Sequence, residues 1–202
     1  MLKVLVLYPE AFNCYSKFCR KLDRIMSNLV EPTVVVNEDH NGLGSQYCSE
    51  RQLSIEVLED ISSLQNSDLT HAIVFSDGEE FIDEVNKLKA SSLKTSIQKI
   101  KITRVINIKN DKTFNTKISS SKYEYIGRGS PWGNPYAIGE NGDDRDEVLR
   151  KYHYDFENEK FLNITKNDML KLAGKRLGCF CKPEACHGDY IAEFLNSYDD
   201  GK

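Results

Sequence analysis

The 202-residue chain reads as an α/β protein, a Rossmann-like parallel sheet followed by a smaller α+β domain. Three observations predict this. In the first half, short β-branched apolar runs alternate with amphipathic stretches, the order of a parallel sheet with right-handed crossovers. Residues 109–122, KNDKTFNTKISSSK, are then polar and aperiodic. Beyond them come short strands, a Gly/Pro-punctuated loop and a dense Cys/His cluster. The expected organisation is a Rossmann-like domain over 1–110, a linker over 111–122 and a Cys/His-containing α+β domain over 123–202.

KVLVLY (3–8) is short, apolar and β-branched, as a strand buried on both faces must be. Phe18, Leu22, Ile25, Met26 and Leu29 then fall on one helical face. TVVVN (33–37) predicts a second strand, and Leu53, Val57, Ile61 and Leu64 a second helix. HAIVFS (71–76) predicts a third strand, closed by Asp77-Gly78, and Phe81, Val85 and Leu88 a third helix. ITRVINI (102–108) predicts a fourth strand of the same sheet. In the second half YEYIG (123–127) and RLGCFC (176–181) are strands. Asp143 to Phe156 is helical, with Val148, Leu149 and Tyr152 inward. Thr165 and Asp168 have the spacing of a capping box that opens a short helix ending at Gly174. An amphipathic helix with Tyr190, Ile191, Phe194 and Leu195 starts at His187.

Composition places limits on function. No apolar run approaches the length of a membrane span. The start, MLKVLVLYPEAF, lacks the features of a signal peptide. The expected compartment is the cytoplasm, the host cytoplasm for a phage-encoded chain, where thiols stay reduced and clustered cysteines point to metal or catalysis. The net charge of −4 argues against a general nucleic-acid coat. Residues 87–128 nevertheless carry 11 basic and 2 acidic side chains, a segment of +9 in an acidic chain. Such a run either attracts phosphate or forms a solvated face.

The strongest chemical signal is GCFCKPEACHGDYIAEFL (178–195). Period 2 puts Leu177, Cys179 and Cys181 on one strand face and Phe180 on the other. Cys186 and His187 follow at a helix start. Cys179, Cys181, Cys186 and His187 can thus converge as the four soft or borderline ligands of a tetrahedral Zn²⁺. The spacing C-x-C-x4-C-H departs from the usual C-x2–4-C pairs. Two other readings stand beside zinc. The cysteines can pack a tight strand–helix junction. Alternatively, Cys186, His187 and Asp189 can be catalytic, with the backbone N–H groups of Gly188 and Asp189 binding an anion. A redox role is the weakest reading without C-x-x-C.

A second signal is YIGRGSPWGNPY (125–136). Gly127, Gly129 and Gly133 permit close backbone approach or positive φ. Arg128 offers a fork for phosphate or carboxylate, Ser130 and Asn134 offer hydrogen bonds, and Trp132 and Tyr136 offer flat faces for a base. Together they suit a nucleotide-like ligand. The acids Asp143, Asp144, Asp146 and Glu147 suit a cation or a solvated helix N-terminus. The first half lacks G-x-G-x-x-G after its first strand, and Asn41-Gly42-Leu43-Gly44-Ser45 is its only Gly-bearing candidate for phosphate.

The motifs of the second half resemble a domain-of-unknown-function family of phage and bacterial genomes. Its signature falls on Gly127, Arg128, Gly129, Ser130, Trp132, Gly133, Asn134, Pro135, Cys179, Cys181, Pro183, Cys186, His187, Gly188 and Asp189, within residues 123–197. The family has no established reaction, but a signature joining an Arg/Asn loop to a Cys/His cluster implies one shared pocket. FSDGEEFIDEVNKLK and the strand order make the first half similar to the SLOG superfamily, which includes the DNA-processing protein DprA and the Lonely Guy nucleotide hydrolases. The glycine-rich motif of that group is absent here, so this half reads as a degenerate scaffold.

Two functions remain open at this point. One is an accessory protein of phage type that acts on a nucleotide or nucleic-acid component by hydrolysis or transfer at a glycosidic or phosphoester bond. The other is a non-catalytic protein with a structural zinc cluster that sequesters a nucleotide ligand, nucleic acid or host protein. Neither involves a membrane. A zinc deaminase is disfavoured because its H-x-E element is missing.

Overall fold

The structure is a computed structural model that describes residues 2–58, 68–111 and 113–202. It divides into two compact units, residues 1–101 with 197–202, and residues 102–196.

The first unit is a five-stranded parallel sheet. Strands β1 (Lys3–Leu7), β2 (Thr33–Val36) and β4 (His71–Ser76) form its centre, and β3 (Ile55–Val57) and β5 (Lys94–Lys99) its edges, in the order β3-β2-β1-β4-β5. The centre consists of the apolar runs legible in the sequence, because a strand covered on both faces cannot alternate. Helix α1 (Tyr15–Met26) buries Phe18, Leu22 and Met26 at helical spacing. Phe18 stacks on Phe75 and meets Tyr8 and Tyr47 edge-on. Helix α3 (Ile82–Ala90) carries Leu88 into the core. The C-terminal residues belong to this unit, where Asp199 takes a bidentate grip from Arg20 at 2.7 and 3.1 Å.

Two expectations change here. The second helix is α2 (Leu43–Arg51), not the stretch marked by Leu53, Val57, Ile61 and Leu64. Gln52 turns into the left-handed region and ends α2, after which the backbone pairs with β2 and Val57 becomes an exposed residue of β3. Ile61 and Leu64 lie outside the described residues. The strand from ITRVINI, β6 (Arg104–Asn107), joins the second sheet, while β5 fills the place beside β4.

The N-terminus of α2 is closed from within. The Asp39 carboxylate accepts the backbone N–H groups of Gly44 at 2.7 Å and Ser45 at 3.0 Å, and the Tyr8 hydroxyl at 2.5 Å. Burial pushes this carboxyl up, but the hydrogen bonds from Ser45, Tyr8 and Gly44 outweigh it and hold Asp39 below its ordinary range. A side chain at Gly44 would meet Asp39 Oδ1 at 2.7 Å, so the carboxylate would have to leave this seat to make room for it.

The second unit has a smaller parallel sheet in the order β6-β8-β7, where β7 is Tyr123–Tyr125 and β8 is Arg176–Cys179. Helices α4 (Arg145–Glu157), α5 (Lys166–Met169) and α6 (His187–Ser197) complete it. The capping box forms as expected, with Thr165 and Asp168 satisfying each other's backbone N–H. The buried Asn196 side chain bonds both the N–H and the carbonyl of Thr103, which ties α6 to the segment leading into β6. Ile126, Tyr152, Met169, Leu177, Cys186 and Ile191 lie at the centre of the core. Among the described residues no helix is long and apolar enough to cross a membrane.

Candidate functional site

Strand β8 delivers the first ligands. Leu177 and Cys179 point into the core, Cys181 follows on the same side, and Phe180 points out, about half exposed at 49%. The chain then turns, held where Asn107 donates to the Lys182 carbonyl, and Cys186 arrives at the N-terminus of α6. Cys186 acts as a cap: its Sγ accepts the Gly188 N–H at 3.4 Å and its carbonyl accepts the Asp189 N–H at 2.9 Å. These are the two N–H groups considered for an external anion, and both are committed internally. The Asp189 carboxylate accepts the Cys186 N–H at 2.9 Å and pairs with Lys182 at 2.7 Å. It braces the turn and lies outside the cavity lining described below.

The ligand atoms of Cys179, Cys186 and His187 all lie within 4.8 Å of one another, and all three residues are buried. His187 is oriented by its far nitrogen, which lies 2.9 Å from the Ile126 carbonyl. That contact puts the proton on Nε2 and leaves the Nδ1 lone pair 3.6 Å from Cys186 Sγ. Adjacent Cys and His thus reach one point, because the sulfur caps the helix while the imidazole is pinned from behind. Burial pushes His187 below its ordinary pKa and keeps it neutral, as metal ligation requires. Cys181 Sγ stands 3.5 Å from Cys179 Sγ. Hydrogen bonds from Cys179 and Cys186 hold the Cys181 thiol well below the usual range, while the contacts of Cys186 with Cys179 and Cys181 push its own thiol up. Cys179, Cys186 and His187 can hold a metal ion, with Cys181 beside them.

The glycines of the GRGSPWGNPY loop let it fold tightly on itself and on the end of β7. A Cβ on Gly133 would meet the Gly127 carbonyl at 2.7 Å, and one on Gly127 the Tyr125 hydroxyl at 2.4 Å. Gly129 takes φ +89, open only to glycine at low cost. A cavity of about 120 Å³ is lined by Gly127, Arg128 and Asn134 of the loop together with Cys179, Cys181 and His187. The loop and the cluster therefore share one pocket. Not every loop residue faces it. Trp132 and Gly133 line a second cavity, and Gly129 and Ser130 a third, which Arg128 also borders. Asn134 is a brace as well as a lining residue, donating to the Val148 carbonyl at 3.3 Å and accepting from the Tyr136 N–H at 2.9 Å.

Arg145 is the residue that sequence reasoning missed. It opens α4, lines the same cavity, and donates to the Ala185 carbonyl at 3.1 Å. Its signal was an isolated cation among Asp143, Asp144, Asp146 and Glu147. Three of those acids serve the helix. Asp144 caps it through the Glu147 N–H at 2.9 Å, Asp143 pairs with Lys151 at 2.5 Å and Glu147 with Arg150 at 2.7 Å. The Arg128 guanidinium has no partner among the described residues.

No solved structure matches the chain. An uncharacterized 12.4 kDa protein encoded in the nrdA-td intergenic region of Enterobacteria phage T4 is 42% identical over 72 residues, which is 35% of this chain and 65% of that protein. The chain thus spans just under two thirds of that relative's length. The match to a domain of unknown function begins at residue 85, upstream of the motif-bearing stretch 123–197 that carried the resemblance. The chain belongs to the Minimal SLOG domain family through residues 1–106 and to the DUF4326 family of unknown function through residues 85–197.

Proposed function

We propose that the second unit is a zinc-organised pocket that binds the phosphate of a nucleotide or nucleic-acid component. On this reading Cys179, Cys181, Cys186 and His187 form a closed tetrahedral site for Zn²⁺ that fixes β8 against α6. The ion would supply folding energy and a rigid floor. Arg128 and Arg145 would hold the anion above it. The carrying observation is that these two guanidiniums border the cavity formed by the cluster. Arginine forks match phosphate oxygens in geometry and charge. The likeness to the T4 protein supports a role as an accessory protein of phage type, and the proposal places its work in the host cytoplasm. Its ligand is a nucleotide, a nucleic-acid end or a nucleotide-bearing host component.

Hydrolysis or transfer at a glycosidic or phosphoester bond is the alternative. The closed ligand set speaks against it, since it commits His187 and the thiols to the metal. The test is isothermal titration of the zinc-loaded chain with a panel of nucleoside mono-, di- and triphosphates. Removing charged hydrogen bonds of about 1.5–3 kcal/mol predicts that Arg128→Ala or Arg145→Ala weakens binding about 10–100-fold. An unchanged dissociation constant in both variants, or no nucleotide bound by the wild type, rules the arginine cavity out. Release of base or phosphate during the titration would favour the enzyme.

A further inference from the structure

The second unit carries another, larger cavity of about 310 Å³, lined by Gly133 and Pro135 where Asn134 and Tyr136 of the same segment line the cavity of the cysteines. Its lining includes Trp132, Tyr152, Phe161 and Met169, with Asp155, Lys160 and Asn163 as its polar residues. A mostly apolar, aromatic-lined cavity with few polar groups is the composition of a small-molecule site, and this volume lies at the small end of that range.

Two observations say what it takes. Trp132 is only half buried although it packs against the core. Leu162, also part of the lining, is 97% exposed, an apolar side chain left to water unless something covers it. Flat walls select a flat ligand, and base–aromatic stacking is favourable for every nucleobase. Asp155 supplies direction. Its Oδ2 accepts the Tyr136 hydroxyl at 2.5 Å, and Oδ1 has no donor among the described residues. A carboxylate accepts only, so the ligand edge facing it must donate.

We propose that this cavity is a nucleobase slot, which takes a planar heteroaromatic base stacked on Trp132 with its exocyclic amino group donating to Asp155. The choice of ligand class rests on the nucleotide reading above, but the arginine cavity takes no part in the test. Trp132 is the only tryptophan of the chain, so its fluorescence reports the slot directly. Adenosine, cytidine and uridine carry no phosphate and are titrated into the full chain. Adenosine and cytidine quench saturably, and uridine, without an amino group, binds about 10-fold more weakly. Phe161→Ala weakens adenosine about 10-fold or more by removing a stacking wall. Leu162→Asp does the same at an exposed position where folding is not at stake, with unchanged thermal unfolding.

A short oligoadenylate separates the two sources of a base. Tighter binding than adenosine with steep salt dependence assigns the slot to a strand, and equal binding assigns it to a free nucleoside or nucleotide. No saturable quenching by any nucleoside or by the strand overturns the slot, even where the arginine variants establish phosphate binding. Equal affinity for uridine overturns the Asp155 readout. Nucleoside quenching in a chain that binds no phosphate keeps the slot and removes the arginine cavity instead.

Discussion

Gly188 shows how little room the site allows. It occupies the first turn of α6, directly after the Cys186–His187 pair. A Cβ there would lie 2.4 Å from Ile126 Cδ1 and 3.1 Å from Val105 Cγ2, and Ile126 is itself fully buried. Alanine would gain up to about 1 kcal/mol of helix propensity. Overpacking a dense core costs about 1–3 kcal/mol. The net expectation for Gly188→Ala is a lower urea midpoint with the m-value unchanged, together with weaker metal retention, because Ile126 also supplies the carbonyl that orients His187. An unchanged midpoint would mean that α6 shifts freely, contrary to the packing described. At this scale the cluster was readable from Cys density alone. The Nε2 contact to Ile126 was not, since a backbone carbonyl 61 residues away leaves no mark in composition.

Elements were legible in proportion to their burial. β1, β2 and β4 declare themselves because both faces are covered and the positions between the polar ends Lys3, Thr33, His71 and Ser76 are all apolar. β3 and β5 do not, because edge strands carry mixed side chains such as KTSIQK. The segment 102–108 was readable as a strand but not as a member of the second sheet, since a short apolar run does not name its neighbour. Arg145 was hidden by the acids around it, although those acids were readable as a helix start. A prediction belongs to α2. The Asp39 carboxyl is held below its unfolded value, so it contributes stability that is fully present above the unfolded pKa and is lost as pH falls through the folded one. The window therefore lies below the ordinary carboxylate value of 3.8. Between pH 4 and lower values, urea unfolding of the wild type should lose more stability than that of Asp39→Asn, which is less stable from the start. Parallel acid curves would show that the carboxylate contributes nothing through its charge.

For the whole molecule, the strongest expectation concerns metal. A closed site makes binding free energy into folding free energy, so a ligand present at 100 times its dissociation constant adds about 2.7 kcal/mol to the unit that binds it. Elemental analysis of untagged chain should find one zinc per molecule, with Cys179, Cys181 and Cys186 protected from thiol reagents until a chelator is added. Chelation should then lower the unfolding temperature of the second unit. Metal-free chain with unchanged thiol reactivity and melting would return the cysteines to simple packing. The first unit calls for the opposite expectation, and the reason lies in Asp39. In many α/β proteins a helix end of this kind waits for a ligand's phosphate. Here the socket is wired shut by the chain's own carboxylate. At that helix end the unit is already in its filled state, with nothing to gain from an incoming anion and nothing to report about its concentration. Any sensing of nucleotide by this protein has to be done by other parts of the chain, since this helix end stays indifferent to rising and falling nucleotide pools.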